Sequence, residues 1–286
     1  MSSMQLFFVA ALLLSVAMAV PTRADDARAK LFLDQYEQNV RPLEIEAARC
    51  YWAANVTGTE ADFQKKQAAE ETVDLALSDP SRFAELKAIR QAGVADPQVA
   101  RQIEVLYLEY LDKQVDRDLL QKMSAKSNAV ERAFNVFRPK LNGKEVTDND
   151  IHNILRESRD SVERRAAWEA SKGVGSAVVG DLLELVKLRN EAAKKLGFEN
   201  YHVLQLYCGE QNETQILKLF DALDELTREP FRKAKAEIDA ALAHQFQIAV
   251  ADLRPWHYHD PFFQEVPAVL GELPDDVYKP LDPVDI

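Results

Sequence analysis

The chain has 286 residues, with 47 acidic side chains against 35 basic ones and a net charge of −12. A balance this acidic excludes a basic nucleic-acid footprint or an anionic membrane surface as the main partner. The 47% hydrophobic content is that of a globular protein, and two cysteines exclude a disulfide scaffold or a Cys-rich zinc module.

Leu6 to Val16 is an apolar run followed by Ala17-Met18-Ala19. It reads as a signal peptide cleaved after Ala19, with Ala24 as the second choice. The run is shorter than the roughly 20 residues of a membrane span. No later segment approaches that length. The mature chain is therefore expected to be exported, periplasmic or secreted, and not anchored in a membrane.

With 9 Gly and 12 Pro, turn-formers are few, which favours long helices. Cys50 and Cys208 sit beside aromatics, Tyr51-Trp52 and Tyr207. They are either buried free thiols or a pair made possible by export. Thr59-Glu60-Ala61-Asp62 predicts a capping box that opens a helix to about Leu77. Asp79-Pro80 and Asp96-Pro97 repeat one start signal, an Asp N-cap with Pro at the first helical position. After the second, Val99, Ile103, Leu106, Tyr107, Tyr110 and Leu111 form an apolar stripe at helical spacing.

Asn142-Gly143 marks a turn, and no convincing strand alternation is present. No proline falls between Pro139 and Pro230, so about ninety residues there can be helix and short turns. Asn212 predicts a cap for a helix with Ile216, Leu217, Leu219, Phe220, Leu223 and Leu226 on one face. Six of the twelve prolines fall in the last 32 residues. That predicts an irregular, Pro-rich segment over 253–286, ending on Leu281–Ile286 as if interrupted. The fold class expected is all-α.

The chemical motifs are mostly negative. The five histidines are 152, 202, 244, 257 and 259, and no pair has the i, i+4 spacing of H-E-x-x-H. His257, His259 and Asp260 lack a third ligand at good spacing, so no metal site is assigned within the chain. Gly173-Val174-Gly175 lacks the third glycine of a dinucleotide loop. Gly175 to Gly180 is followed by Asp181-Leu182 instead of Lys-Ser/Thr, and an Asp there repels phosphate. Asn55-Val56-Thr57 and Asn212-Glu213-Thr214 are formal glycosylation sequons. The second is better explained as a helix cap. Trp256-His257-Tyr258-His259-Asp260-Pro261-Phe262-Phe263 is dense in aromatics. It is equally readable as a cleft wall that contacts a peptide and as core packing.

Several stretches resemble a known family. They are ILRESRDSVERRAAWEASKGVGS (154–176), DLLELVKLRNEAAKKLGFENY (181–201), FDALDELTREPFRKAKAEID (220–239) and LRPWHYHDPFFQE (253–265), with WAANVTGTEADFQKKQAAEE (52–71) upstream. The I-L-x-x-S-R…A-W-E and L-x-x-L-x-N-E-A-x-x-x-x-G-F patterns resemble those of the angiotensin-converting-enzyme-like zinc dipeptidyl carboxypeptidases, in their shorter bacterial form. R-x-E-x-A-x-x-L-G-F is also similar to the thimet-oligopeptidase-like metallopeptidases, the alternative.

The resemblance implies the N-terminal half of a two-lobed helical enzyme with a deep central channel, residues 25–252 forming lid and channel. It implies oligopeptide substrates, dipeptide release from their C-terminus, and zinc as cofactor of the full-length family enzyme. In that family an H-E-x-x-H helix and a later Glu hold the zinc, and further Lys, His and Tyr residues bind the substrate. All lie downstream of the matched region, so this chain is expected to lack the catalytic half, to carry no catalytic residue and to bind no zinc alone. The residues that the resemblance offers for substrate binding are Trp256, His257 and Tyr258, beside the substrate's C-terminal carboxylate. The competing reading is a non-catalytic helical peptide-binding protein.

Overall fold

A computed structural model describes residues 23–262. The expected signal peptide and the Pro-rich stretch from 263 onward lie outside the described residues. Within them are ten α-helices. In chain order these are α1 (Arg23–Asn39), α2 (Arg41–Thr57), α3 (Glu60–Leu77), α4 (Pro80–Ala92) and α5 (Pro97–Asp112). There follow α6 (Arg117–Val136), α7 (Asp148–Glu157), α8 (Ser161–Lys195), α9 (Tyr201–Cys208) and α10 (Glu213–Phe246). Two 3-10 turns, Val250–Asp252 and Pro255–His257, follow α10. The expected all-α class is what the chain adopts.

The helix starts are set locally. Thr59 accepts from the Asp62 amide, and Asp79 and Asp96 each accept from two amides of the first turn. Asn212 accepts from Gln215 and opens α10. Each cap satisfies one or two of the four amides that a helix N-terminus leaves unpaired. Asn142 and Gly143 both have positive φ, 52° and 78°, and close a hairpin of β1 (Lys140–Leu141) on β2 (Lys144–Glu145). Two left-handed residues in succession are the geometry of a tight two-residue hairpin loop. This small antiparallel pair is the departure from the sequence reading, which foresaw the turn but no strands. The Gly173–Gly180 stretch lies inside α8, consistent with its rejection as a phosphate loop.

The main core joins α1, α4 and α5. Phe32 and Tyr36 of α1, Leu86 and Ile89 of α4, and Val99, Ile103, Leu106 and Tyr110 of α5 are buried together, with Leu77 of α3 at the edge. Of the expected α5 stripe, Tyr107 and Leu111 are only half-buried, whereas Leu108 is buried although the stripe omitted it. A smaller core packs Ile151 and Leu155 of α7 on Ala167 of α8, flanked by Trp168 and Trp256. Helix α10 is buried only near its end, at Ile238, Leu242 and Ala243. It continues through Pro230, whose missing N–H removes one ladder bond from a helix exposed on every side there. Cys50 on α2 and Cys208 on α9 are both free thiols. No described helix is long and apolar enough to cross a membrane.

Candidate functional site

The predicted residues Trp256, His257 and Tyr258 sit on a strap, residues 254–260, that crosses from the end of α10 to the start of α8. Pro255 fixes φ and has no N–H to satisfy at the first position of the turn. The turn is closed by a side chain: His257 Nδ1 accepts the Arg254 amide at 2.8 Å.

The three residues face different neighbours. Trp256 is half-buried against Trp168, ring centroids 6.0 Å apart, with the Arg165 guanidinium over its ring at 5.2 Å. His257 is buried against the Phe246 ring at 4.9 Å, and its Nε2 lies 3.2 Å from Ser161 Oγ. Because Nδ1 accepts, the proton of the neutral ring sits on Nε2 and is donated to Ser161. Burial, then the nearby Arg164 and Arg254, pushes the His257 pKa below its usual value. The Tyr258 hydroxyl donates to Asp239 Oδ1 at 2.7 Å and accepts from Lys235 Nζ at 2.7 Å. Lys235 and Asp239 are themselves paired on α10. Burial is the main reason the Tyr258 phenol is raised above its usual range.

Of the three, Tyr258 borders a cavity. It holds about 310 Å³ and is walled by Lys235, Leu253, Arg254, Pro255, Tyr258, Asp260 and Pro261. Lys235 and Arg254 supply positive charge there and Tyr258 a hydroxyl, a donor set suited to a carboxylate. Two further cavities, of about 600 and 400 Å³, run along α5 and share Arg101, Val105 and Glu109. A third, of about 290 Å³, continues from Asp112 and Lys113 to Arg189 and Tyr201.

The residue that organises the strap was missed in the sequence. Arg164 on α8 is 0% exposed, and burial lowers its pKa to about 10. It donates to the carbonyls of Ser158 (2.9 Å), Trp256 (2.7 Å) and Tyr258 (3.0 Å) and covers the Phe246 ring. Its signal in the sequence is its position three and four residues before Ala167 and Trp168, on the face of α8 that meets α7. Neighbouring Arg165 masks that signal, since it is exposed and pairs with Glu169. His259 is half-buried within the field of Arg164 and Arg156, and its Nε2 is buried with no hydrogen-bond partner among the described residues.

The donor set does not suit a catalytic zinc. His152, His202 and His244 stand singly on α7, α9 and α10. Among the described residues no group of three or more His, Cys, Asp or Glu side chains is placed to hold a metal ion.

Compared with known proteins, residues 23–241 match the sequence profile of the peptidase M2 family, described as angiotensin-converting enzyme. No curated protein matches the chain.

Proposed function

Since the chain belongs to the angiotensin-converting-enzyme family of peptidases, we propose that it supplies the N-terminal, helical portion of an exported zinc-dependent peptidyl-dipeptidase. The enzyme removes dipeptides from the C-terminus of oligopeptides. Zinc chemistry in such enzymes polarises the scissile carbonyl and activates water. The described residues do not fit that ion, and the role we assign to this chain lies on the substrate side. The exported part of the reading is supported by the apolar run at 6–16 and the Ala17-Met18-Ala19 that follows it.

One structural observation carries the reading that the chemistry belongs to another portion. On α10, Leu217, Leu219, Phe220, Leu223, Leu226 and Phe231 are all exposed, Leu226 by 73%. Of these, Leu219, Phe220, Leu223 and Leu226 share one face of an amphipathic helix. Monomeric proteins rarely leave such a contiguous apolar surface to water. A helical partner with a complementary face, the H-E-x-x-H-bearing portion, accounts for it. The cavities along α5 support peptide binding, since together they offer an extended groove bounded by charged and apolar side chains. The substrate's terminal carboxylate is assigned to the cavity at Tyr258 and Lys235. There it competes with Asp239 for the Lys235 ammonium. Trp256 and His257 hold that wall in place.

The test is complementation. The chain is joined or mixed with an H-E-x-x-H-bearing C-terminal portion from the same family and offered oligopeptides with free C-termini. Release of dipeptides only in the presence of both parts supports the assignment. A soluble, folded assembly that releases none contradicts it.

A further inference from the structure

The strap over the α8–α10 junction is held by the Arg164 guanidinium, and its turn is closed by an acceptor nitrogen of His257. The geometry points to an acid-released latch: neutral His257 and His259 seat residues 254–260 on buried Arg164, and their protonation detaches the strap and opens the wall of the Tyr258 cavity.

Arg164 anchors the strap. Its guanidinium is fully buried and is satisfied by three backbone carbonyls, two of them from the strap. The strap thus lies against a fixed positive charge in a region of low dielectric, where charge–charge repulsion is felt strongly. His257 accepts the Arg254 amide at Nδ1. Protonation would place a second N–H against that amide, exchanging a hydrogen bond for a clash of donors. The positive charges of Arg164 and of Arg156 on α7 also act on His259, whose buried Nε2 has no hydrogen-bond partner among the described residues.

The other groups around the strap carry charge of both signs, and several are already engaged. On α8, Arg165 lies over Trp256, and Glu163 accepts from the Ser158 hydroxyl. On α10, Phe246 offers only a ring face, while Asp239 is engaged by Lys235 and Tyr258. On the strap itself, Arg254 adds positive charge and the buried Asp260 negative charge. Both histidines are held below the usual imidazole pKa, by burial first and by these arginines second.

The sign of the pH effect follows. The released strap binds protons from about pH 6.5 downward, whereas the docked strap resists them. Docking is complete above that pH. Below it, each pH unit weakens docking by up to about tenfold per histidine, until the docked values are reached.

Trp168 and Trp256 are in contact across the junction and report on it directly. The third tryptophan, Trp52 on exposed α2, is removed by Trp52→Phe. In the full chain, tryptophan emission and protease cleavage across 247–262 are followed from pH 8 to 4.5, with helix content monitored by circular dichroism. The latch predicts a transition below pH 6.5 at constant helix content, with a steepness near two protons. His257→Asn keeps an acceptor where Nδ1 stood, and together with His259→Gln it should abolish the transition. No emission change in the natural chain overturns the latch. So does loss of helix at the same pH, or a transition unchanged in the double variant. If that variant does not fold, proton NMR of the natural chain decides. Both imidazoles must titrate below 6.5 together with the emission change, and titration at or above that value overturns it.

Discussion

At the scale of single residues, the α3–α6 contact turns on Lys66. Its ammonium is buried and pairs with Glu70 at 2.8 Å and Glu131 at 2.9 Å, and it donates to Asn128 Oδ1 at 2.8 Å. Burial alone would lower its pKa, but the two carboxylates outweigh it and hold the ammonium above the usual lysine range. The pair therefore contributes stability that is complete below about pH 10.5 and is lost as pH rises through the folded value. Lys66→Met, which leaves Glu70, Glu131 and Asn128 without their partner, should cost roughly 3 kcal/mol in urea unfolding at neutral pH. It should also remove that alkaline loss, and an unchanged alkaline profile would show that other groups cause it.

Caps are the residue-scale features most legible in the sequence, because Thr59, Asp79, Asp96 and Asn212 act on amides two or three positions away. Asp96→Ala should cost about 1 kcal/mol, read as a lower unfolding midpoint. Arg164 was not legible in this way, since its partners at 256 and 258 are more than ninety positions distant in the chain. For Tyr258, the strap contacts explain why cleft wall and core packing could not be separated from the sequence. The residue borders a cavity and also bonds to α10.

Among the elements, α5 and α10 carry equally plain apolar stripes and meet opposite fates. The α5 stripe is covered by α1 and α4, and Ile103 is 1% exposed in that core. Ile103→Ala should cost roughly 2–5 kcal/mol, measured by denaturant unfolding. The α10 stripe between 219 and 226 has no such cover among the described residues, Phe220 being 61% exposed. Leu223→Glu with Leu226→Glu should change the stability of this chain by less than about 1 kcal/mol, as surface substitutions do. The same pair should abolish assembly with an H-E-x-x-H-bearing portion in a pull-down. A large loss of stability in the chain alone would mean that the stripe is covered within it. Helical spacing told which residues share a face in both helices. It could not tell which face finds a partner, because that depends on the arrangement of helices remote in sequence.

Taken as a whole molecule, the described residues form a main core at α1–α4–α5 and a small one at α7–α8, with further buried residues along α6, α8 and α9. The long α10 stands away from both for most of its length. Apolar faces exposed on this scale favour association or loose packing. Unfolding should accordingly be broad while far-UV circular dichroism remains strongly helical. A sharp, reversible two-state transition would instead mark a self-sufficient domain, as expected of a non-catalytic peptide-binding protein. The all-α class was legible from the spacing of apolar residues and the scarcity of Gly and Pro.

The family was legible from the stretches at 154–176 and 181–201, which lie within the matched residues 23–241. What those residues do chemically is set by donors that must converge in space, and none of the five histidines has a partner at the i, i+4 spacing of H-E-x-x-H. The most direct measurement is the zinc content and peptidase activity of the purified, dialysed chain after exposure to zinc. The account predicts no stoichiometric zinc and no release of dipeptides from oligopeptides. One tightly held zinc per chain, with dipeptide release that a chelator stops, would contradict it.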